Sequence, residues 1–146
     1  MNDAQATLDS IAYVAWHGQR IRVQEPGRAV IAQRDRADLH NYAGTTHAGA
    51  LYTLAETAAG VAADAVAGPL GGFILLAAAQ VRYTRRAEGA LEAEARTDAA
   101  CNLEALAAEF AASGRARMSV AVTIRDPADN SVFEGSFHYA MRRKNP

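Results

Sequence analysis

A polar, glycine-bearing loop that runs straight into a long apolar segment limits this chain's options more than any other feature. The loop reads His40–Asn41–Tyr42–Ala43–Gly44–Thr45–Thr46–His47, and from Ala48 to about Ala67 nearly every residue is Ala, Leu, Val or Gly. Threonine at 45 or 46 suits the cap of a helix, because its hydroxyl accepts from one of the first N–H groups that lack an intrahelical partner. A helix that is apolar all round is a buried helix, so the rest of the chain must wrap it. Glu56 sits in the middle of the wrapped part. A lone carboxylate there is costly to ionise, and its pKa is expected above the ordinary range. Gly60, one turn on, costs about 1 kcal/mol relative to alanine in a helix interior and points to close approach by a strand or a partner helix.

The flanking segments supply the wrapping. Leu8, Ile11, Ala12 and Ala15 recur at helical spacing and predict a peripheral helix from Asp3 to Trp16, with Asp3 as its cap and Gly18 as its stop. Arg20–Gln24 alternates like a strand, Pro26–Gly27 turns or kinks it, and Arg28–Arg34 continues extended. Beyond the breaker Gly68–Pro69–Leu70–Gly71–Gly72, Phe73–Arg86 reads as a long strand and Leu91–Asp98 as a half-exposed one. Leu103, Leu106, Ala107 and Phe110 fall at i, i+3, i+4 and i+7, which predicts a short helix closed by Gly114, with a bulged strand as the competing reading. Ala116 to Ile124 returns to a period of two, Pro127–Ala128–Asp129–Asn130 is a turn, and Val132–Arg142 pairs back as the last strand. One helix wrapped by a mostly antiparallel sheet, in the α+β class, is the economical way to bury such a segment.

Composition narrows the function. The 146 residues suit one domain, read here as 1–146, with one sizeable core. The formal charge of −1 argues against a nucleic-acid partner, which usually meets a strongly basic face. One cysteine, Cys101, leaves no internal disulfide and no CxxC motif. Glu56 and Asp64 interrupt the only long apolar run, so no membrane span is expected. Met1–Ser10 lacks a basic region followed by an apolar one, so no secretory signal is expected and the location is read as cytoplasmic.

The arrangement Asn41–x–x–Gly44–x–x–His47–x–Gly49–x–x–x–x–Leu54–Ala55–Glu56 resembles the signature of hotdog-fold acyl-CoA thioesterases of the phenylacetate-pathway type, over roughly Arg20 to Arg142. The resemblance implies a long helix lying in a curved antiparallel sheet and hydrolysis of a thioester to free acid and coenzyme A. It implies Glu56 as the catalytic acid on the helix, the backbone of Ala48–Gly49 as the group that polarises the carbonyl, and Asn41 and His47 as flanking polar residues. No metal or redox cofactor is implied, and coenzyme A enters only as part of the substrate. This chain departs from the family at Ala48, where glycine is frequent, and at Glu56, where aspartate is frequent. Alanine keeps the backbone donor, and glutamate moves the carboxylate outward by one carbon. The helix expected around Leu103–Phe110 is a further departure.

These residues suit thioester chemistry. A thiolate leaves readily, so the site needs a donor for the developing oxyanion and a means of delivering a nucleophile. The start of a helix offers free N–H groups and the positive end of its dipole. A buried carboxylate serves as general base or as nucleophile, and the sequence leaves both open. Ala48 and Glu56 are eight residues apart, about 12 Å along one helix at ~1.5 Å per residue, too far to meet on one carbonyl. A second copy packed antiparallel brings one chain's Glu56 beside the other chain's helix start, so a homodimer with two shared sites is expected, with a dimer of dimers left open. Thr57, beside the acid, is a substrate-binding candidate. Arg82, Tyr83, Arg85 and Arg86 read either as contacts to the phosphates and adenine of coenzyme A or as solvated strand-end residues. His47 reads as a loop-organising or substrate-orienting side chain rather than a base, with no serine or cysteine beside it to form a triad. The competing readings are a structural Glu56 bonded to loop N–H groups or to Tyr52, a hotdog protein that binds acyl-CoA without turnover, and an enoyl-CoA hydratase or dehydratase.

Overall fold

The computed structural model describes residues 3–98 and 101–145, the side chain of residue 3 excepted. The cap expected of Asp3 falls outside that description. The N-terminal segment forms two short helices, α1 (Asp3–Ser10) and α2 (Ala12–His17), where the spacing predicted one. The break is at Ile11, whose backbone is extended (φ −92°, ψ 103°). Gly18 ends α2 in the left-handed conformation at φ 68°, which glycine adopts without steric cost.

The central helix α3 spans Ala48–Ala67. Around it curls one six-stranded antiparallel sheet of β1 (Arg20–Glu25), β2 (Arg28–Gln33), β3 (Gly72–Tyr83), β4 (Leu91–Thr97), β5 (Arg115–Arg125) and β6 (Ser131–Arg143). The spatial order is β1-β2-β4-β5-β6-β3, so β1 and β3 are the edges. Pro26–Gly27 turns the chain rather than kinking it, since β1 and β2 pair as a hairpin with Glu25 opposite Arg28.

Alternation along the strands sets which face meets the helix. Ala116, Met118, Val120, Val122 and Ile124 of β5 point inward, while Arg115, Arg117 and Arg125 point out. Ala55, Ala58, Ala59, Ala62 and Ala63 of α3 are fully buried, as are Phe133, Phe137 and Met141 of β6. The alanine-rich helix lets the sheet approach closely, and the large side chains needed to fill the space come from the sheet. At Gly60 an added Cβ would lie 3.6 Å from the Tyr139 hydroxyl on β6. That is ordinary contact, so the strand comes close there without requiring the glycine.

The segment after β4 is helical, α4 (Leu103–Ser113), as its period predicted. The Asn102 side chain caps it, accepting from the Ala105 N–H at 3.0 Å, and Gly114 closes it at φ 72°. Phe110 of α4 packs against Gly72, beyond the C-terminal end of α3. This helix connects two neighbouring strands and leaves the β3 edge uncovered. Among the described residues no helix is long and apolar enough to cross a membrane.

Candidate active site

The loop before α3 is built on Asn41. Its Oδ1 accepts from the N–H groups of Ala43 (2.9 Å) and Thr45 (3.2 Å), and its Nδ2 donates to Thr45 Oγ1 (3.1 Å). Short side chains of this type mimic a backbone turn, and a bridge between His40 and Thr46 closes the loop. The cap of α3 is His47, not Thr45 or Thr46, both of which are buried. The ring Nδ1 of His47 accepts from the Gly49 N–H at 2.8 Å. Its carbonyl accepts from Ala50 (2.9 Å) and Leu51 (3.0 Å).

Of the first four N–H groups of α3, Ala48 alone has no acceptor among the described residues. Gly49, expected to share the donor role, has already spent its N–H on the cap. The Ala48 end opens onto a groove of about 350 Å³ that also takes in Asn41, Tyr83, Arg85 and Arg86. These four sequence candidates therefore gather at the helix start. Arg82 does not join them, because it points to the sheet surface and pairs with Glu134. Tyr83 is half exposed and sets its ring edge-on to Phe133 at 5.3 Å.

Glu56 lies two turns along α3. Among the described residues its carboxylate has no hydrogen-bond or ion partner, and burial alone raises its pKa above the ordinary value of 4.5. The structural reading of this acid required Tyr52 or loop N–H groups. The Tyr52 ring instead packs on Phe137, centroids 5.6 Å apart. What comes near Glu56 is the Tyr139 hydroxyl, which donates to the Glu56 backbone carbonyl at 3.4 Å. The carboxylate borders a cavity of about 260 Å³ shared with Thr57, Gly60, Asp64, Ile74 and the underside of α1 and α2. Thr57 is buried, and its Oγ1 has no partner among the described residues.

The N-terminal helices are thus not merely peripheral. They close over the one flank of α3 that the sheet leaves open. Tyr13 of α2 bonds Thr53 of α3 (hydroxyl to Oγ1, 2.9 Å), and Gln33 Nε2 donates to the His17 carbonyl at 2.7 Å. Between Leu51 and Asp64 the residues of α3 that stay incompletely buried form the i, i+4 stripe Tyr52–Glu56–Gly60–Asp64, and this is the flank the two helices cover. His138 of β6 joins three strands by bonding Ser119 Oγ (2.7 Å) and Gln80 Oε1 (2.6 Å) on the outer face of the sheet.

Residues 5–141 match a family model described as a domain of unknown function (DUF4442). The chain belongs to this family. No curated protein matches it. Among solved structures it resembles PA5026 of Pseudomonas aeruginosa, a protein of unknown function described as a probable thioesterase, at 29% identity and TM-score 0.84, covering 97% of this chain and 94% of that one. It resembles AziG of S. sahachiroi at 23% identity and TM-score 0.75, over 90% and 97% of the two chains. It also resembles the thioesterase SAV0944 of Staphylococcus aureus at 16% identity and TM-score 0.75, over 90% and 98%. Two of these neighbours are thus described as a probable thioesterase and a thioesterase, and the wrapped helix with its six-stranded sheet is the hotdog fold.

Proposed function

We propose that this protein is an acyl-CoA thioesterase whose site forms between two copies of the chain. The observation that carries the reading is Glu56, a half-buried carboxylate with no partner among the described residues, facing a cavity. The Ala48 N–H, which has no acceptor among the described residues, lies about 12 Å away along the same helix, out of reach of the same carbonyl. A second copy supplies the missing half. The β3 edge is twelve residues long and exposes Phe73, Leu75 and Tyr83, an unpaired apolar edge of the kind that monomeric proteins usually blunt. Antiparallel pairing of two such edges sets the two central helices side by side, so that each Glu56 faces the partner's helix start.

In the general-base route, Glu56 takes a proton from water and the hydroxide adds to the thioester carbonyl. The oxyanion accepts from the partner's Ala48 N–H, backed by the helix dipole. The C–S bond then breaks, and the proton held by Glu56 passes to the departing thiolate. In the nucleophilic route the carboxylate adds to the carbonyl itself and releases the thiolate, and water hydrolyses the resulting anhydride. Arg85 and Arg86, beside the helix-start groove, are placed to meet the phosphates of coenzyme A. Thiol release from a panel of acyl-CoAs tests the reading, with Glu56→Ala as control. Hydrolysis by the wild type and its loss in the variant are expected. Binding without turnover would make the protein an acyl-CoA carrier or sensor, and hydration of an enoyl-CoA would place it among the hydratases.

A further inference from the structure

The cavity beside Glu56 runs beneath the N-terminal helices, and its walls differ in chemistry. Leu8 of α1, Ile11 at the break and Val14 of α2 form the outer wall, facing Val61 of α3 and Ile74 of β3. Among the described residues no aromatic side chain lines it. Three of its polar residues, Glu56, Thr57 and Asp64, belong to α3. The helical pair is pinned at several points: the Ile21 N–H donates to Gln5 Oε1 at 2.8 Å, Arg36 Nη1 to the Trp16 carbonyl at 2.6 Å, and Tyr13 is bonded to Thr53. Between these pins its underside, apolar but for Thr7, faces the cavity, and Gln24 of β1 adds a second polar side chain outside α3.

We propose that this roof selects the acyl group, and that the cavity takes a straight aliphatic chain of short to medium length. The inference rests on the thioesterase reading: the carbonyl sits at Glu56 and the tail lies along Leu8, Ile11 and Val14. Aliphatic walls reward hydrocarbon burial. With no aromatic side chain in the lining, an aryl tail finds no ring to stack on. A tail ending in a second carboxylate gives up its hydration to Leu8, Ile11, Val14 and Ile74, which carry no donor. At about 260 Å³ the space lies just under the ~300–1,000 Å³ of drug-sized sites, so a long chain overfills it.

The test is a series of straight-chain acyl-CoAs from acetyl to hexadecanoyl, with phenylacetyl-CoA beside them, run on wild type, Leu8→Phe and Leu8→Ala. In the wild type each added methylene should raise kcat/KM about fourfold until the cavity is full, the equivalent of ~0.8 kcal/mol per buried CH₂. The cut-off should move to shorter chains in Leu8→Phe and to longer chains in Leu8→Ala. An identical cut-off in all three proteins, with circular dichroism showing each folded, overturns the proposal. Faster turnover of phenylacetyl-CoA than of every straight chain also overturns it. Calorimetric binding of the same esters to Glu56→Gln separates this inference from the reading beneath it. If the wild type hydrolyses nothing, the catalytic reading falls, and a chain-length-dependent Kd that shifts with Leu8 still upholds the roof. A Kd indifferent to chain length sinks it.

Discussion

Replacing Glu56 by glutamine should move activity and stability in opposite directions. Glutamine keeps the size of the side chain and its place at the cavity, but it neither accepts a proton from water nor attacks a carbonyl. Loss of a general base costs ~10²–10⁴-fold in rate, which at about 1.36 kcal/mol per tenfold is about 2.7–5.4 kcal/mol of transition-state stabilisation. The loss should fall on kcat and kcat/KM alike, because the interaction is made in the transition state. Stability moves the other way, because the carboxylate has no partner among the described residues and burial holds its pKa above 4.5. Such a group binds its proton more tightly folded than unfolded. It favours the folded state while protonated and loses that advantage as pH rises from the unfolded value through the raised one. Wild type and Glu56→Gln should therefore melt together below about pH 4, near the unperturbed glutamate pKa, and the variant should melt higher at neutral pH. The partner's helix start offsets ~0.3–1 kcal/mol of that gain by favouring the anion. Calorimetric melts across this pH range and initial rates of thiol release read both effects on one preparation. The wild-type rate should also fall in acid through a limb above 4.5. A variant that hydrolyses within a few-fold of wild type, or that melts lower than wild type at neutral pH, refutes the reasoning.

Three further outcomes follow from the fold. Leu75→Lys, on the exposed edge of β3, should turn a dimer into a folded monomer in sedimentation, and hydrolysis should be lost with it; an active monomer would refute the shared site. Gly72→Ala should destabilise by ~1–3 kcal/mol in urea unfolding through overpacking, because its Cβ would lie 2.9 Å from Phe110 Cζ and 3.2 Å from the Arg142 carbonyl oxygen. Asn102→Ala removes the cap of α4 and should cost ~0.5–2 kcal/mol, with thiol release unchanged because α4 packs at the far end of the central helix.

Much of this was legible because the periods are clean. Inward and outward residues alternate without fault along β5, and the step from period two to 3.6 at Leu103–Phe110 marked α4 despite the strands on either side. Glu56 was legible for a different reason: one acid in a run of alanine and leucine admits few readings. The cap of α3 was missed because threonine is the usual capping residue, whereas here the loop closes by burying Thr45 and Thr46, and His47 takes over through its ring. Arg82 looked like Arg85 and Arg86 in sequence. Only the register of β3 against β6, which sets Arg82 opposite Glu134, separates them. The roof was out of reach for a similar reason. Leu8, Ile11 and Val14 carry the pattern of any surface helix, and nothing local says which side of α3 they cover.

That placement bears on the chemistry itself. The curled sheet buries α3 on every side but one, and the side it leaves is the stripe carrying Tyr52, Glu56, Gly60 and Asp64. Left open, that stripe would expose Glu56 to water, and its carboxyl would titrate as an ordinary glutamate. The cavity under α1 and α2 withdraws solvent from the acid, and although Thr7, Gln24 and Thr57 also line it, the Glu56 carboxylate bonds none of them. Burial without pairing raises a carboxyl pKa, and burial with pairing does not. On the proposed reading, the helices that would seat a substrate's tail are thus the same ones whose cover raises the pKa of Glu56.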